Sequence, residues 1–238
     1  MTSTTHPTNQ LLASLAPEDF ELLRPHLRSV ELVQGTVLVE GGAEIDQVYF
    51  PEDGIISLVV RLQAGATVEV AMIGSDGLFG AFSALDGRIS LNTAIVQIDG
   101  SATVIDTAHL RAAAARSEHF RALLMRHEQV IFAQALQSAA CNASHSVQAR
   151  LSRWLLRAHD LTVRKKLKFT QEFMAQMLGT QRNTVSIVAN TLQKAGLIRY
   201  RRGEIEITNL EGLRESSCEC YGMVQHYYDK LINSDSFS

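Results

Sequence analysis

Phe169-Thr-Gln-Glu-Phe-Met-Ala-Gln-Met-Leu-Gly-Thr-Gln-Arg-Asn-Thr-Val-Ser-Ile-Val-Ala-Asn-Thr-Leu-Gln-Lys-Ala-Gly-Leu-Ile198 carries the pattern that decides the fold. The Thr170 hydroxyl is placed to cap a first short helix, with Phe169 and Met174 spaced as a hydrophobic staple across its start. Gly179 ends that helix, because a tight turn between two helices needs the positive φ that glycine tolerates. Ala175, four residues earlier, leaves room for the second helix to cross closely. Val185 points back to the core, and Val188, Ala189 and Leu192 continue its stripe. The opposite face presents Gln181, Arg182, Asn183, Thr184, Ser186 and Asn190, all able to hydrogen-bond DNA. Gly196 closes the helix, Leu197-Ile198 starts a strand, and Arg199-Tyr-Arg-Arg-Gly203 turns into Glu204-Ile-Glu-Ile-Thr208. This reads as a β-hairpin wing whose Arg199, Arg201 and Arg202 can meet phosphates. A generic helical hairpin explains the apolar stripe but not the Ala175, Gly179 and Val185 spacing, the polar outer face and the basic wing together. The stretch predicts a winged helix-turn-helix that binds double-stranded DNA.

Upstream, Val147, Leu151, Trp154, Leu155 and Ala158 form one helical stripe, with Arg150, Arg153 and Arg157 on the remainder. A polar, basic connection from Asp160 to Lys168 follows. The overall charge of −3 hides an asymmetry: residues 1–149 carry −8, residues 150–215 carry +7 and the tail −2. A basic nucleic-acid module joined to an acidic one has this distribution, since only the face that meets phosphates needs positive charge.

From about residue 30 to 107, short β-branched stretches alternate with Gly, Pro and Asp: Leu32-Val33, Val37–Val39, Val48–Phe50, Ile55–Val60, Val68–Ile73, Thr93–Ile98 and Ala102–Ile105. They predict a small antiparallel sandwich or barrel. The period then changes. His109–Arg116 is rich in helix formers, and Ser117 can cap a longer helix with Glu118 in its first turn. On it Phe120, Leu124, His127, Ile131, Gln134, Ser138 and Cys141 recur at four-three spacing, a heptad seam. The helix exceeds what one sandwich face needs, which favours a two-fold dimer helix over one buried only within its own chain. His127 and the pair Cys141/His145 are candidate metal or haem ligands, although single polar residues in a seam more often set register.

The chain has 238 residues, 46% of them hydrophobic and 20% charged, as in a globular protein of two modest domains. No window is apolar over the roughly 20 residues a membrane span requires. The start, Met1 to Gln10, lacks the basic and apolar regions of a secretory signal, so a soluble, cytoplasmic protein with a frayed polar tip is expected. Three cysteines, Cys141, Cys218 and Cys220, argue against a disulfide framework on number and compartment. Cys218-Glu-Cys220 is too short to close a tetrahedral metal site alone, and the nearest later histidine is His226. Incidental thiols on a helical tail are the expectation, with neither metal nor cofactor assigned. The β-region shows no nucleophile-base pair, paired-carboxylate motif, metal box or phosphate loop, so catalysis there is the remote alternative.

The residues Thr170-Gln-Glu, Gly179, Arg182, Thr184-Val-Ser, Leu192-Gln-Lys-Ala-Gly-Leu-Ile198 and Gly203-Glu-Ile-Glu-Ile207 resemble the Crp/Fnr family of transcription regulators, over residues 20 to 215. The resemblance implies an α+β chain: flexible N-terminus (1–19), β-roll (20–116), dimerisation helix (117–145), winged helix-turn-helix (146–215) and a C-terminal helical tail (216–238). It implies a homodimer on DNA, with RNA polymerase the further partner considered. Relatives similar to the cyclic AMP receptor protein hold the phosphate with Gly-Glu-Leu and Arg-Ser-Ala stretches. Here these align with Gly80-Ala81-Phe82 and Ser90-Leu91-Asn92, removing both the ribose-binding carboxylate and the phosphate-neutralising arginine, with Arg88 two residues off. The hydroxyl pair that touches adenine aligns with Ala135 and Leu136. Cyclic nucleotide binding is therefore not expected. Iron-sulfur relatives use N-terminal cysteines, absent here. The alternative is the same DNA-binding role gated by an unidentified small molecule or haem. In the reading helix Arg-Glu-Thr-Val-x-Arg becomes Arg182-Asn-Thr-Val-Ser-Ile187, which predicts a different operator.

Overall fold

The computed structural model describes residues 8–63, 65–87, 89–162 and 164–233. Two compact units are present: the chain up to Ile56 with Ile73–Gln129, and Ser57–Met72 with Val130 onward. No described helix is long and apolar enough to cross a membrane.

The first unit opens with α1 (Gln10–Ala13) and α2 (Pro17–Leu23). Residues 8–19 are therefore not a frayed lead. Asn9 accepts the Leu12 amide as N-cap, its Nδ2 donates to the Pro51 and Gly77 carbonyls at 2.8 Å each, and Leu11, Leu12 and Leu15 are buried. Polar composition misled here because the one asparagine that matters is enclosed. The expectation for residues 1–7 lies outside the described residues.

All seven expected strands form: β1 (Arg28–Leu32), β2 (Val37–Val39), β3 (Gln47–Pro51), β4 (Ile55–Arg61), β5 (Thr67–Ile73), β6 (Thr93–Ile98) and β7 (Gly100–Asp106). One sheet has the order β1-β7-β3, antiparallel throughout, with Val48 opposite Ile105 and Val30 opposite Ala102. The other is ordered β2-β6-β4-β5. Val48, Phe50, Ile55, Ile56, Ala94, Val96, Ala102, Val104 and Ile105 are completely enclosed, so several strands of the antiparallel roll are buried on both faces. A short α3 (Ala81–Ala84) lies between β5 and β6, and α4 (Thr107–Arg116) follows β7.

The long helix α5 (Glu118–Ser144) starts where expected, the Ser117 hydroxyl accepting the Phe120 amide at 3.0 Å. Its heptad seam has a different role from the one expected. Phe120, Leu124, His127, Gln134, Ser138 and Cys141 are buried within this chain, and Ile131 is half-buried. That side is interior because the polar members find partners: the Leu78 amide donates to His127 Nε2 and the Met72 amide to Gln134 Oε1. A second four-three series, Met125, Gln129, Phe132, Leu136, Ala139 and Ala143, is exposed instead.

In the second unit, α6 (Val147–Asp160) is capped by Ser146, and Trp154 packs against Phe169 with ring centroids 4.6 Å apart. Then come β8 (Lys166–Lys168), α7 (Gln171–Met177), α8 (Arg182–Lys194), β9 (Ile198–Arg201) and β10 (Glu204–Ile207). Sequence assigns no strand to the polar, basic connection before Phe169. Instead it supplies the outer strand of a three-stranded sheet, β8-β10-β9, with Leu167 opposite Ile205. Its partner lies beyond both helices in sequence, so local pattern gave no sign of it. The chain continues through α9 (Leu210–Glu215) and α10 (Cys220–Tyr228).

Candidate DNA-binding surface and accompanying sites

Sequence dictates the helix pair locally. The Thr170 hydroxyl accepts the Phe173 amide at 3.1 Å, Gly179 has φ of 57°, and Ala175, Val185, Ala189 and Leu192 are buried, with Val188 half-buried. Gly179 has a second reason to be glycine. A Cβ there would meet Val68 Cγ2, on β5, at 2.9 Å. The Arg150 guanidinium closes the end of α7 by donating to the Leu178 carbonyl.

With that face buried, α8 turns Gln181, Arg182, Asn183 and Asn190 outward, all exposed, and leaves Thr184 half-buried. Ser186 is differently placed from its neighbours: its hydroxyl sits between Gln171 Oε1 and the Arg182 carbonyl, so its single proton is already engaged. Ile187, which sequence comparison noted only as a lost arginine, is 68% exposed on the outer side.

The wing turn is Arg202-Gly203, with φ of 52° and 79°, the double positive φ of a type I′ hairpin. Arg201 and Arg202 are exposed at its tip. Arg199 instead pairs across the hairpin with Glu206 at 3.0 Å, which neutralises part of its charge. The arginines of α6 are also less available than the charge count implied. Arg150 is buried, Arg153 and Arg157 are half-buried, and the latter two act electrostatically on Glu69.

Glu69 was not singled out from sequence. It is a buried carboxylate on β5 that accepts from Ser57 Oγ at 2.6 Å and from Trp154 Nε1 at 2.9 Å. Burial nevertheless raises its pKa to about 7, with the hydroxyl, the indole and Arg153 and Arg157 pulling the other way. An acidic residue in a β-branched strand reads as solvent-facing, so no local signal marks it.

In the roll, the stretch aligned with the phosphate-binding segment has one of its amides taken by a carboxylate of the protein. Ala81 is buried, and the Phe82 amide donates to Glu128 Oε1 of α5 at 3.1 Å, where burial raises the Glu128 pKa to about 7. Ser90 donates to the Asn92 carbonyl, and Leu91 is exposed. Arg88 lies outside the described residues. An open cleft nearby is lined by Glu44, Asp46, Asp86 and Asp106 with one arginine, Arg111, an unfavourable setting for an anion. His127 is held at a pKa of about 4 by burial, and its Nε2 accepts from the Leu78 amide, so that nitrogen is taken.

Two candidates treated separately in sequence come together in space. Cys141, His145, Cys218 and Cys220 offer donor atoms that all lie within 4.8 Å of one another. Burial pushes the Cys218 thiol up to about 12 and raises that of Cys141.

Comparison with known proteins agrees with this architecture. Residues 29–117 match the cyclic nucleotide-binding domain, and residues 149–216 match the Crp-like helix-turn-helix domain. The chain belongs to the Crp/Fnr family. Among solved structures, this Crp/Fnr regulator is similar to FixK2 from Bradyrhizobium japonicum, with TM-score 0.69 and 17% identity over 81% of this chain and 98% of that one. A Crp/Fnr-family transcriptional regulator from Eubacterium rectale gives TM-score 0.68 and 17% identity, over 87% and 97% of the two chains. The c-di-GMP responsive global regulator CLP from Xanthomonas campestris gives 0.61 and 16%, over 81% and 99%. At these identities the likeness is one of fold. No curated protein sequence matches the chain.

Proposed function

We propose that this Crp/Fnr regulator acts as a homodimer on a two-fold DNA operator, reading bases with α8 and phosphates with the wing, without gating by cyclic AMP. The observation that carries the reading is the division of α8. Val185, Ala189 and Leu192 are buried, while Gln181, Arg182, Asn183, Ile187 and Asn190 face outward. Arg182 suits guanine O6 and N7, Asn183 suits adenine, and exposed Ile187 suits a thymine methyl. Thr184 stands at the edge of this set, and Ser186 reaches DNA only by giving up Gln171. Arg201 and Arg202 at the wing tip position the module on phosphates, with Arg199 contributing less because Glu206 holds it.

The second copy docks on the exposed side of α5. Met125, Gln129, Phe132, Leu136, Ala139 and Ala143 follow a heptad, and Phe132 is 65% exposed, a large cost for an apolar side chain unless it is covered. Two such modules place their reading helices about one DNA turn apart, roughly 34 Å. A cytoplasmic location and contact with RNA polymerase accompany this reading, and no enzymatic step is assigned.

Operator selection from random DNA, followed by footprinting, tests it. The expected outcome is a palindrome with half-sites one turn apart. Arg182→Ala should weaken binding by about 1–3 kcal/mol and relax one base position in each half-site. Unchanged base preference in that variant would remove Arg182 from direct readout.

A further inference from the structure

Cys141 and His145 stand one helical turn apart at the end of α5, and Cys218 and Cys220 flank the start of α10. Neither pair suffices for a closed site, yet the fold of the second unit brings them together. Cys141 Sγ lies 3.5 Å from Cys218 Sγ, and Cys220 Sγ lies 3.5 Å from His145 Nδ1. A tetrahedral zinc ion with Zn–S of about 2.3 Å and Zn–N of about 2.0 Å sets sulfur-sulfur edges near roughly 3.8 Å and sulfur-nitrogen edges near roughly 3.5 Å. The donor set is already at that scale. From these distances we infer that Cys141, His145, Cys218 and Cys220 form a mononuclear Cys3His site for a zinc-like divalent cation.

The surroundings fit a ligand set better than a packed core. The three cysteines form a small buried cluster of their own, with half-buried Ala149 the hydrophobic neighbour packed against it among the described residues. His145 presents Nδ1 to the sulfurs while its Nε2 lies 3.2 Å from Glu219 Oε1, the carboxylate-histidine arrangement that fixes tautomer and ring orientation at metal centres. Gln137 Nε2 donates to Cys220 Sγ at 3.0 Å, a hydrogen bond that fixes the position of that sulfur. Three thiolates and a neutral imidazole around a dication leave one negative charge, and Arg150 acts electrostatically on Cys141 and Cys218, Arg153 on Cys141. A polynuclear iron-sulfur cluster needs its irons between the cysteines and so a wider set of sulfurs. A disulfide uses two cysteines and leaves the histidine, its carboxylate and the third sulfur without a purpose.

Binding Zn²⁺ converts three thiols to thiolates and releases three protons to solvent, with no redox change. The ion then ties the C-terminal end of α5 to the segment between α9 and α10, fastening the chain that follows the wing onto the long helix.

The test uses the full chain without an affinity tag, purified under reducing conditions. Elemental analysis should find one zinc per chain. Thiol reagent should release that zinc as the cysteines react, and Co²⁺ should give the thiolate charge-transfer and visible bands of a tetrahedral centre. Cys218→Ser and Cys220→Ser should each lose the tetrahedral cobalt spectrum. Because those variants can misfold, Glu219→Gln provides a second arm: it keeps all four ligands and should weaken zinc about 10–100-fold with the helical signal unchanged. Three freely reacting thiols in protein that takes up neither ion would overturn the site. So would a Cys141-Cys218 disulfide whose reduction restores no metal binding, or full metal content in a Cys141→Ser, Cys218→Ser double variant.

Discussion

Glu69 shows how one residue couples chemistry to stability. Its pKa of about 7, against an ordinary 4.5, means the folded chain holds a proton that the unfolded chain has released between those values. The stabilisation is therefore complete below about pH 4.5 and is lost as pH rises through 7. Its size is of order 3 kcal/mol, since each pKa unit corresponds to about 1.4 kcal/mol. Glu69→Gln should remove this share of the slope, leaving the like contribution of buried Glu128, and make the protein more stable than wild type at pH 8, read by denaturant unfolding at pH 5 and 8. A slope undiminished from that of wild type would place the proton elsewhere. His127 contributes with the opposite sign, its depressed pKa of about 4 giving stability above pH 6.5 that fails as pH falls through 4, so the comparison must be made between variants. At this scale the sequence revealed Thr170, Gly179 and Val185, whose roles are set by neighbours within a few positions. It was silent on Glu69 and on the engagement of Ser186 and Arg199, because their partners are Trp154, Gln171 and Glu206.

At the scale of elements, α5 carries two heptads, and periodicity alone cannot say which faces inward. The more polar series, with His127, Gln134 and Ser138, reads as a weak dimer seam but is the one the chain buries, since backbone amides of Leu78 and Met72 satisfy its polar atoms. The apolar series with Phe132 and Leu136 remains exposed. Phe132→Asp should therefore convert the proposed dimer to monomers in sedimentation equilibrium while leaving the circular dichroism of the chain intact. A variant that stays dimeric would move the interface off this face. The wing was legible as a hairpin because Arg202-Gly203 is local turn chemistry, whereas β8 was not, because its strand exists only through pairing with β10.

At the scale of the molecule, the acidic roll and basic DNA-binding module divide the charge, but the division overstated the surface available to phosphates. Arg150 serves the end of α7, and Arg153 and Arg157 lie in the field of Glu69. The roll keeps the family's strands while Glu128 occupies the Phe82 amide and carboxylates line the neighbouring cleft. Titration calorimetry with cyclic AMP should accordingly give no heat of binding. A micromolar isotherm would show that the pocket survives in another form. Sequence by itself determined the seven strands of the roll, the long helix, the helix-turn-helix and the outward placing of Gln181, Arg182, Asn183 and Asn190, since strand period, caps and turn glycines act over a few neighbouring positions. Tertiary structure alone decided which side of α5 is interior, where the buried Glu69 finds its donors, and that Cys141 and His145 meet Cys218 and Cys220. Those outcomes depend on groups far apart in the chain, brought within hydrogen-bonding or ligand distance only when the elements pack.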